Sequence, residues 1–281
     1  MDDIFQEEVA QGWLCIYMDD MIIATEDNEV LHELCVNHIL DKLKKYDLFL
    51  KPEKCKFHQR EVEYLGVIIG NGTVKMDLVK IQGIMEWPTP KTVKDVQSFL
   101  GFCNFYHAFI KDFSNIARPL NNLTCKNEPW NWSKECNVVF HHLKEMCGQY
   151  PILHTPDWSK QFIMDTDVSR YALGVVITQE FEDGIHPVAF HSRSLLPAEA
   201  NYDVHDKELA GVIFGFKCGH PLFLGASHPI HVCTDHKDLQ YFRNPRRITD
   251  RQARWIEYLQ DFDYTLEHIP GSTNTVADLL S

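Results

Sequence analysis

Apolar and polar positions come in short alternating blocks at the start of the chain. In WLCIYMDDMIIAT, residues 13–25, two apolar runs flank Asp19 and Asp20, the pattern of a β-hairpin with acids at its turn. Residues 27–46 place Val30, Leu34, Ile39, Leu43 and Tyr46 close to helical period, which predicts an amphipathic helix packed on a sheet. In EYLGVIIGNGTVKM the apolar runs surround Asn71-Gly72, a strong hairpin signal. From 78 to 150 the pattern becomes helical pieces punctuated by Pro88, Pro90, Pro119 and Pro129, with aromatics at Phe99, Phe102, Phe105, Tyr106 and Phe109. A small helical connecting region is predicted there.

The period shortens again near residue 158. QFIMDTD, YALGVVITQ and HPVAFHSRSL are successive β-rich runs, which predict an antiparallel three-strand meander. A helix over roughly 203–217 follows, then the strand PIHVCTD, a helix over about 249–260, the strand FDYTLEHI and a short helix after Gly271. That order gives a mixed sheet flanked by helices, and the fold class is α/β (α+β). No internal repeat or low-complexity tract interrupts it.

Composition sets the class of protein. A chain of 281 residues with 44% hydrophobic content is globular and is expected to hold two domains. The start, MDDIFQEEVAQ, is acidic and unlike a signal peptide, and no apolar run reaches the roughly 20 residues that span a bilayer, so a soluble intracellular protein is expected. Nine cysteines form no CxxC pair, and the 11-residue steps from Cys125 to Cys136 to Cys147 are not zinc spacings; reduced thiols of a cytosolic or nuclear compartment are expected. The net charge of −13 is unusual for a protein that binds nucleic acid. Basic residues are nonetheless clustered, at Lys42, Lys44, Lys45, Lys51, Lys54, Lys56 and Arg60 and again at Arg243, Arg246, Arg247, Arg251 and Arg254. Either cluster reads as a solvated face or as a surface for a polyanion.

Four acids carry the sharpest chemical signal. Asp167, Glu208, Asp235 and Asp278 are spaced 41, 27 and 43 residues apart, each at or near the start or end of a different predicted element. Carboxylates gathered from four elements repel one another unless cations lie between them, so a pair of Mg²⁺ ions is the natural occupant. Among 40 acidic residues such spacing also arises by coincidence, and on spacing alone both readings stand.

The flanking residues add a family resemblance along the whole chain. YMDDMIIAT, LFLKPEKCKF, EYLGVII, IMEWPTPKTVKDVQSFLGFCNFYHAFI, ARPLNNLT, DTDVS, HDKELAG, CTDHKDL and PGSTNTVADLLS occur in this order. Together they resemble the reverse transcriptase and ribonuclease H region of a gypsy-type (Metaviridae-like) LTR retrotransposon Pol polyprotein. The resemblance implies three parts: residues 1–77 as the C-terminal part of the polymerase palm, 78–157 as a helical thumb or connection, and 158–281 as a ribonuclease H-like domain with a five-stranded mixed sheet.

It further implies that Asp167, Glu208, Asp235 and Asp278 are ribonuclease H metal ligands, catalytic through two Mg²⁺ ions with Mn²⁺ as the alternative ion, cleaving the RNA strand of an RNA–DNA hybrid to leave a 3′-hydroxyl. Asp165 shares the strand face of Asp167 by the period of two and reads as an outlying or solvent-facing acid. His236 either orients the site and aids product release or is structural. Tyr17-Met18-Asp19-Asp20 matches the polymerase motif whose aspartates bind catalytic Mg²⁺, with Tyr17 and Met18 beside the primer-template. Tyr64, Leu65 and Gly66 match the primer-grip hairpin, and Lys54 either approaches the nucleotide or is solvated. Arg243, Arg246, Arg247 and Arg251 become candidates for contact with hybrid phosphates.

Departures limit these expectations. The third polymerase carboxylate and the fingers would precede Met1, so an N-terminally truncated polymerase that does not copy DNA on its own is expected. His107 and Leu279 stand where arginine and alanine are common in the family. Implied partners are RNA–DNA hybrid, primer-template and other Pol or Gag products, with no membrane; the implied locations are the cytoplasm, in virus-like particles, and the nucleus. Two other readings stand beside the active ribonuclease: an inactive relic or host-adopted nucleic-acid-binding protein, and a piece of a full polyprotein with active reverse transcriptase.

Overall fold

The computed structural model describes residues 3–25, 28–126, 128–149, 152–234 and 249–269. Two compact units divide at Asn71 and Gly72. Among the described residues, no helix is long and apolar enough to cross a membrane.

The first unit starts with α1 (Gln6–Ala10), β1 (Leu14–Tyr17), β2 (Asp20–Ile23) and α2 (Glu29–Lys45). β1 and β2 form the expected antiparallel hairpin, Tyr17 opposite Asp20, with Met18 at φ 53° in the turn. Asn28 caps α2 by accepting from the Leu31 amide at 3.1 Å. Ile39 and Leu43 of α2 bury against Phe5 and Leu14. Only two of the five predicted stripe positions are buried, because Val30, Leu34 and Tyr46 are 69%, 63% and 47% exposed. The reason is length: a 17-residue helix runs about 25 Å, whereas a four-residue strand covers about 13 Å. Under α1, buried Glu8 receives the Lys42 ammonium and His38 Nε2 at 2.6 Å, while Lys42 also donates to the Ile4 carbonyl at 3.1 Å. These donors outweigh burial and hold the Glu8 carboxyl down at about 2. A second hairpin follows in β3 (Glu61–Tyr64) and β4 (Val67–Gly70), turning through Leu65 and Gly66, both with positive φ.

The second unit opens with β5 (Thr73–Met76), then α3 (Leu78–Met85), α4 (Val93–Phe105), α5 (Phe113–Ile116), α6 (Arg118–Asn122) and α7 (Lys134–Gly148). Thr92 and Asp95 close a reciprocal capping box on α4. Of the predicted aromatics, Phe99, Tyr106 and Phe109 are buried, Phe99 packing on Phe140 of α7 with centroids 4.6 Å apart and on Trp87 at 5.9 Å, whereas Phe105 is 57% exposed. β6 (Ile152–His154), not foreseen from the sequence, pairs antiparallel with β5.

The remainder follows the predicted order: β7 (Phe162–Val168), β8 (Ala172–Phe181), β9 (Gly184–Ser194), α8 (Val204–Phe223), β10 (Ile230–Thr234), α9 (Asp250–Leu259) and β11 (Tyr264–His268). The sheet order is β11-β10-β7-β8-β9, with β7, β8 and β9 antiparallel and β10 parallel to both β7 and β11. α8 buries Leu209, Val212, Ile213 and Phe216 against Phe162, Met164, Val175 and Ile177. It runs about six residues past the expected end near 217, through Pro221, and the Phe223 ring at its end packs on Phe162 and Phe216 at 5.7 and 5.6 Å. The mixed α/β class read from the sequence is the observed one.

Candidate functional site

The C-terminal end of β7 is where the predicted nuclease residues begin. Met164 faces the α8 core, whereas Asp165 and Asp167 take the alternate positions. Asp167, opposite Gly174 on β8, is exposed; Asp165 is 6% exposed. Neither Asp165 oxygen has a hydrogen bond of acceptable geometry, although the Cys233 thiol, its register partner on β10, is a weak donor nearby. Burial pushes the Asp165 carboxyl up to about 6, with Lys111 and His231 pulling the other way. The Cys233 thiol is pushed up to about 12, first by burial and then by the Asp165 charge.

Glu208 lies in the N-terminal part of α8 and is 6% exposed. Its position depends on Gly211, one turn later. A Cβ at Gly211 would stand 2.8 Å from Val168 Cγ2, so the missing side chain lets α8 approach the end of β7. Gly215 repeats the close approach to β7, a Cβ there meeting Met164 Sδ at 2.5 Å, while a Cβ at Gly219 would meet Ile177 Cδ1 of β8 at 3.0 Å and the Phe223 ring of α8 itself. Glu208 is thereby carried on the helix that packs against the strand bearing Asp167. Asp235 and Asp278 lie outside the described residues, as do His236, Arg243, Arg246 and Arg247.

Asp112 is an acid that sequence reasoning missed. It sits with left-handed φ of 52° before α5, accepts from Asn115 Nδ2 at 3.0 Å, and has Oδ1 3.9 Å from where a Gly174 Cβ would be. Burial raises its carboxyl, and the charge of Asp167 raises it further. A left-handed residue ahead of a short helix has no periodic signature, so only the fold reveals this proximity. Among the described residues no three His, Cys, Asp or Glu side chains form a metal-binding group. The donors present are hard carboxylate oxygens that disfavour one another's charge, which fits a hard divalent cation.

In the first unit Tyr17, Met18, Asp19 and Asp20 are all exposed at the tip of the β1–β2 hairpin. Tyr64, at the end of β3, reaches Cys15 of β1, with Oη 3.9 Å from Sγ. Its phenol is pushed up to about 12 by burial, by Cys15 and by the Asp20 charge. The fold therefore brings the Tyr64-Leu65-Gly66 turn beside the acidic hairpin. Lys54 ends a 3₁₀ turn, Pro52–Lys54, and is exposed.

Arg251 of α9 is placed differently from a free phosphate contact. Its guanidinium pairs with Asp206, which is 3% exposed, and lies 3.8 Å from the Tyr202 ring centroid. Gln252 Nε2 donates to the same carboxylate at 2.7 Å, so α9 is clasped to α8 through one buried acid. Arg254 is exposed on the same helix.

Comparison with known proteins follows these elements. Residues 1–69 match the family "Reverse transcriptase (RNA-dependent DNA polymerase)", and residues 157–262 match "RNase H-like domain found in reverse transcriptase". The transposon Tf2-3 and Tf2-4 polyproteins of Schizosaccharomyces pombe are each 32% identical over 277 residues, covering 98% of this chain. The chain spans 21% of the length of these relatives. The foamy viral protease-reverse transcriptase in complex with RNA/DNA hybrid superposes with a TM-score of 0.76 at 21% identity, covering 97% of this chain and 38% of that one. A dRH form of the foamy viral enzyme in complex with double-stranded DNA gives 0.76 at 20% identity, covering 95% and 47%. At such identity these two show a shared fold. Over 98% of its length the chain is thus similar to part of these transposon polyproteins, with residues 1–69 similar to a reverse transcriptase and residues 157–262 similar to the RNase H-like domain found in one.

Proposed function

We propose that this chain hydrolyses the RNA strand of RNA–DNA hybrids, as the ribonuclease H of a gypsy-type Pol product, with Asp167, Glu208, Asp235 and Asp278 holding two Mg²⁺ ions. The observation that supports the reading is the approach of α8 to β7 at Gly211 and Val168, since α8 carries Glu208 and β7 carries Asp167. When bound, such ions would supply an activated water and stabilise the leaving oxygen of a phosphodiester. The protein side of the chemistry is positional. Asp167, exposed at the strand end, meets solvent and substrate; Glu208, buried, is held by the packed helix. Asp112 adds negative charge to the same end, which strengthens its preference for divalent cations.

In this reading residues 158–281 form the nuclease domain, 78–157 the connection and 1–77 the palm portion. Asp19 and Asp20 are ligands of a polymerase metal centre that these two carboxylates do not complete alone, with Tyr17, Met18 and the Tyr64-Leu65-Gly66 turn against primer-template. The hybrid and primer-template are the proposed partners, and the cytoplasm or nucleus the proposed location. Support for a hybrid substrate includes the foamy viral neighbour in complex with one. The test is cleavage of a labelled hybrid in Mg²⁺ by wild type, Asp167→Asn and Asp235→Asn. Both variants are expected to keep the wild-type melting temperature and lose cleavage; a folded Asp167→Asn that cleaves like wild type removes the ligand assignment.

A further inference from the structure

The turn between β7 and β8 carries a cationic cluster beside the acidic strand end. Tyr171, 40% exposed, has the Arg118 guanidinium 3.3 Å from its ring centroid and the Arg170 guanidinium 5.5 Å away. Arg118 belongs to α6 of the connecting helices and Arg170 to the turn itself, so distant segments converge on one ring. Among the described residues neither guanidinium forms an ion pair or hydrogen bond. That is unusual in a chain of 40 acids and 27 basic residues, where Arg193 and Arg251 are each paired with a carboxylate. Stacking on an exposed ring holds the guanidiniums without neutralising them. Two uncompensated guanidiniums on one ring repel each other until an anion arrives.

The location selects the anion. Tyr171 follows Asp167 by four residues across a turn in which the Ser169 amide donates to the Ala172 carbonyl at 2.9 Å. At about 3.3 Å per residue, the Tyr171 backbone lies at most about 13 Å from that of Asp167. Successive nucleotides of one strand rise about 3.4 Å, so a backbone crossing Asp167 reaches the cluster within roughly four nucleotides. We propose that Arg118 and Arg170, stacked on Tyr171, form a phosphate-binding site that anchors the nucleic-acid backbone a few nucleotides from the scissile position. This rests on the ribonuclease reading for the word scissile, though not for the binding itself. The planar fork of arginine suits a phosphate, and the ring keeps both forks oriented before substrate arrives. The acids at the strand end then receive a polyanion that is already held by cations beside them.

The experiment measures binding of the full chain to a short labelled RNA–DNA hybrid by fluorescence anisotropy in EDTA, over a range of KCl, for wild type, Arg170→Ala, Arg118→Ala and Arg118→Lys. Each alanine variant is expected to bind about five- to tenfold more weakly near 0.1 M salt, with the slope of log K against log salt reduced by about 0.9. Arg118→Lys keeps the charge and is expected to keep the slope. If Arg118→Ala fails to fold, Arg170→Ala, in the exposed turn, carries the test. Folded Arg170→Ala and Arg118→Ala proteins that bind within twofold of wild type with an unchanged slope overturn the proposal, as does a wild type that binds no hybrid. Cleavage by wild type in Mg²⁺ is followed in parallel. Absence of cleavage with intact, arginine-dependent binding refutes the ribonuclease reading and leaves the phosphate site standing.

Discussion

Replacing Gly211 by alanine should separate the packing of α8 from its role in placing Glu208. The new Cβ would lie 2.8 Å from Val168 Cγ2, whereas carbon atoms in contact rest at about 3.5–4.0 Å. Something must therefore yield by about 0.7 Å or more. Val168 is β-branched with few rotamers and sits in the strand, so the helix is the part that moves. Two opposing contributions decide stability: alanine gains about 1 kcal/mol of helix propensity over glycine, and overpacking costs about 1–3 kcal/mol. The net loss is expected to be small, about 0–2 kcal/mol. Activity should suffer more, because a misplacement of about 1 Å in a catalytic constellation costs up to about a hundredfold, and a shift of about 0.7 Å predicts a loss of roughly 10–30-fold. The assays are urea unfolding of the full chain and the rate of hybrid cleavage. Val168→Ala in the same chain removes the clashing methyl and should return most of the lost rate. Gly215→Ala is the comparison one turn further from Glu208: its Cβ meets the buried Met164 thioether at 2.5 Å, so it strains the core and not the strand end, and it should cost stability more than cleavage. Wild-type cleavage by Gly211→Ala, or no recovery with Val168→Ala, would refute the claim that this close approach positions Glu208.

Other perturbations test the fold around the sites. Asp206→Ala strands the Arg251 guanidinium and breaks the α8–α9 clasp, so a loss of about 3 kcal/mol is expected in urea unfolding, the scale for removing one partner of a buried pair. Glu8 has a folded pKa of about 2 against an ordinary 4.5, so its stabilisation of the first unit is present above about 4.5 and disappears as pH falls toward 2. Hydrogen exchange of the β1–β2 amides should accelerate across that window in wild type and lose this pH dependence in Glu8→Gln. Asp165 has the opposite sign: its folded value of about 6 lies above the unfolded 3.8, so the ionised carboxylate penalises folding above about 6 and the penalty fades below 3.8. Asp165→Asn should therefore stabilise the chain at pH 7 in EDTA, by up to about 3 kcal/mol, and show no gain at pH 3.5.

The sheet of the second unit was legible because each strand alternates or runs apolar between clear breaks; β7 to β11 follow the predicted order. The β1–β2 hairpin was equally legible from two apolar runs around two acids. Short, polar or context-dependent pieces were not. β6 has three residues and gains its identity from pairing with β5, a partner about 78 positions away in sequence. The exposed Val30 and Leu34 obey helical period, yet period reports a face and not whether anything covers it. Asp112, Gly211 and the Arg118–Tyr171 stack depend on distant segments meeting, which no local pattern encodes. Arg251 looked like one member of a basic run; its commitment to Asp206 needed the packing of α9 on α8.

The most direct measurement uses the full chain, Mg²⁺ and an end-labelled RNA presented either alone or annealed to DNA, with products separated by size and their ends identified. Cuts in the RNA strand of the hybrid only, 3′-hydroxyl ends, and no cleavage in EDTA are expected. Equal cleavage of the free RNA, or cleavage of the hybrid that persists in EDTA, would contradict it.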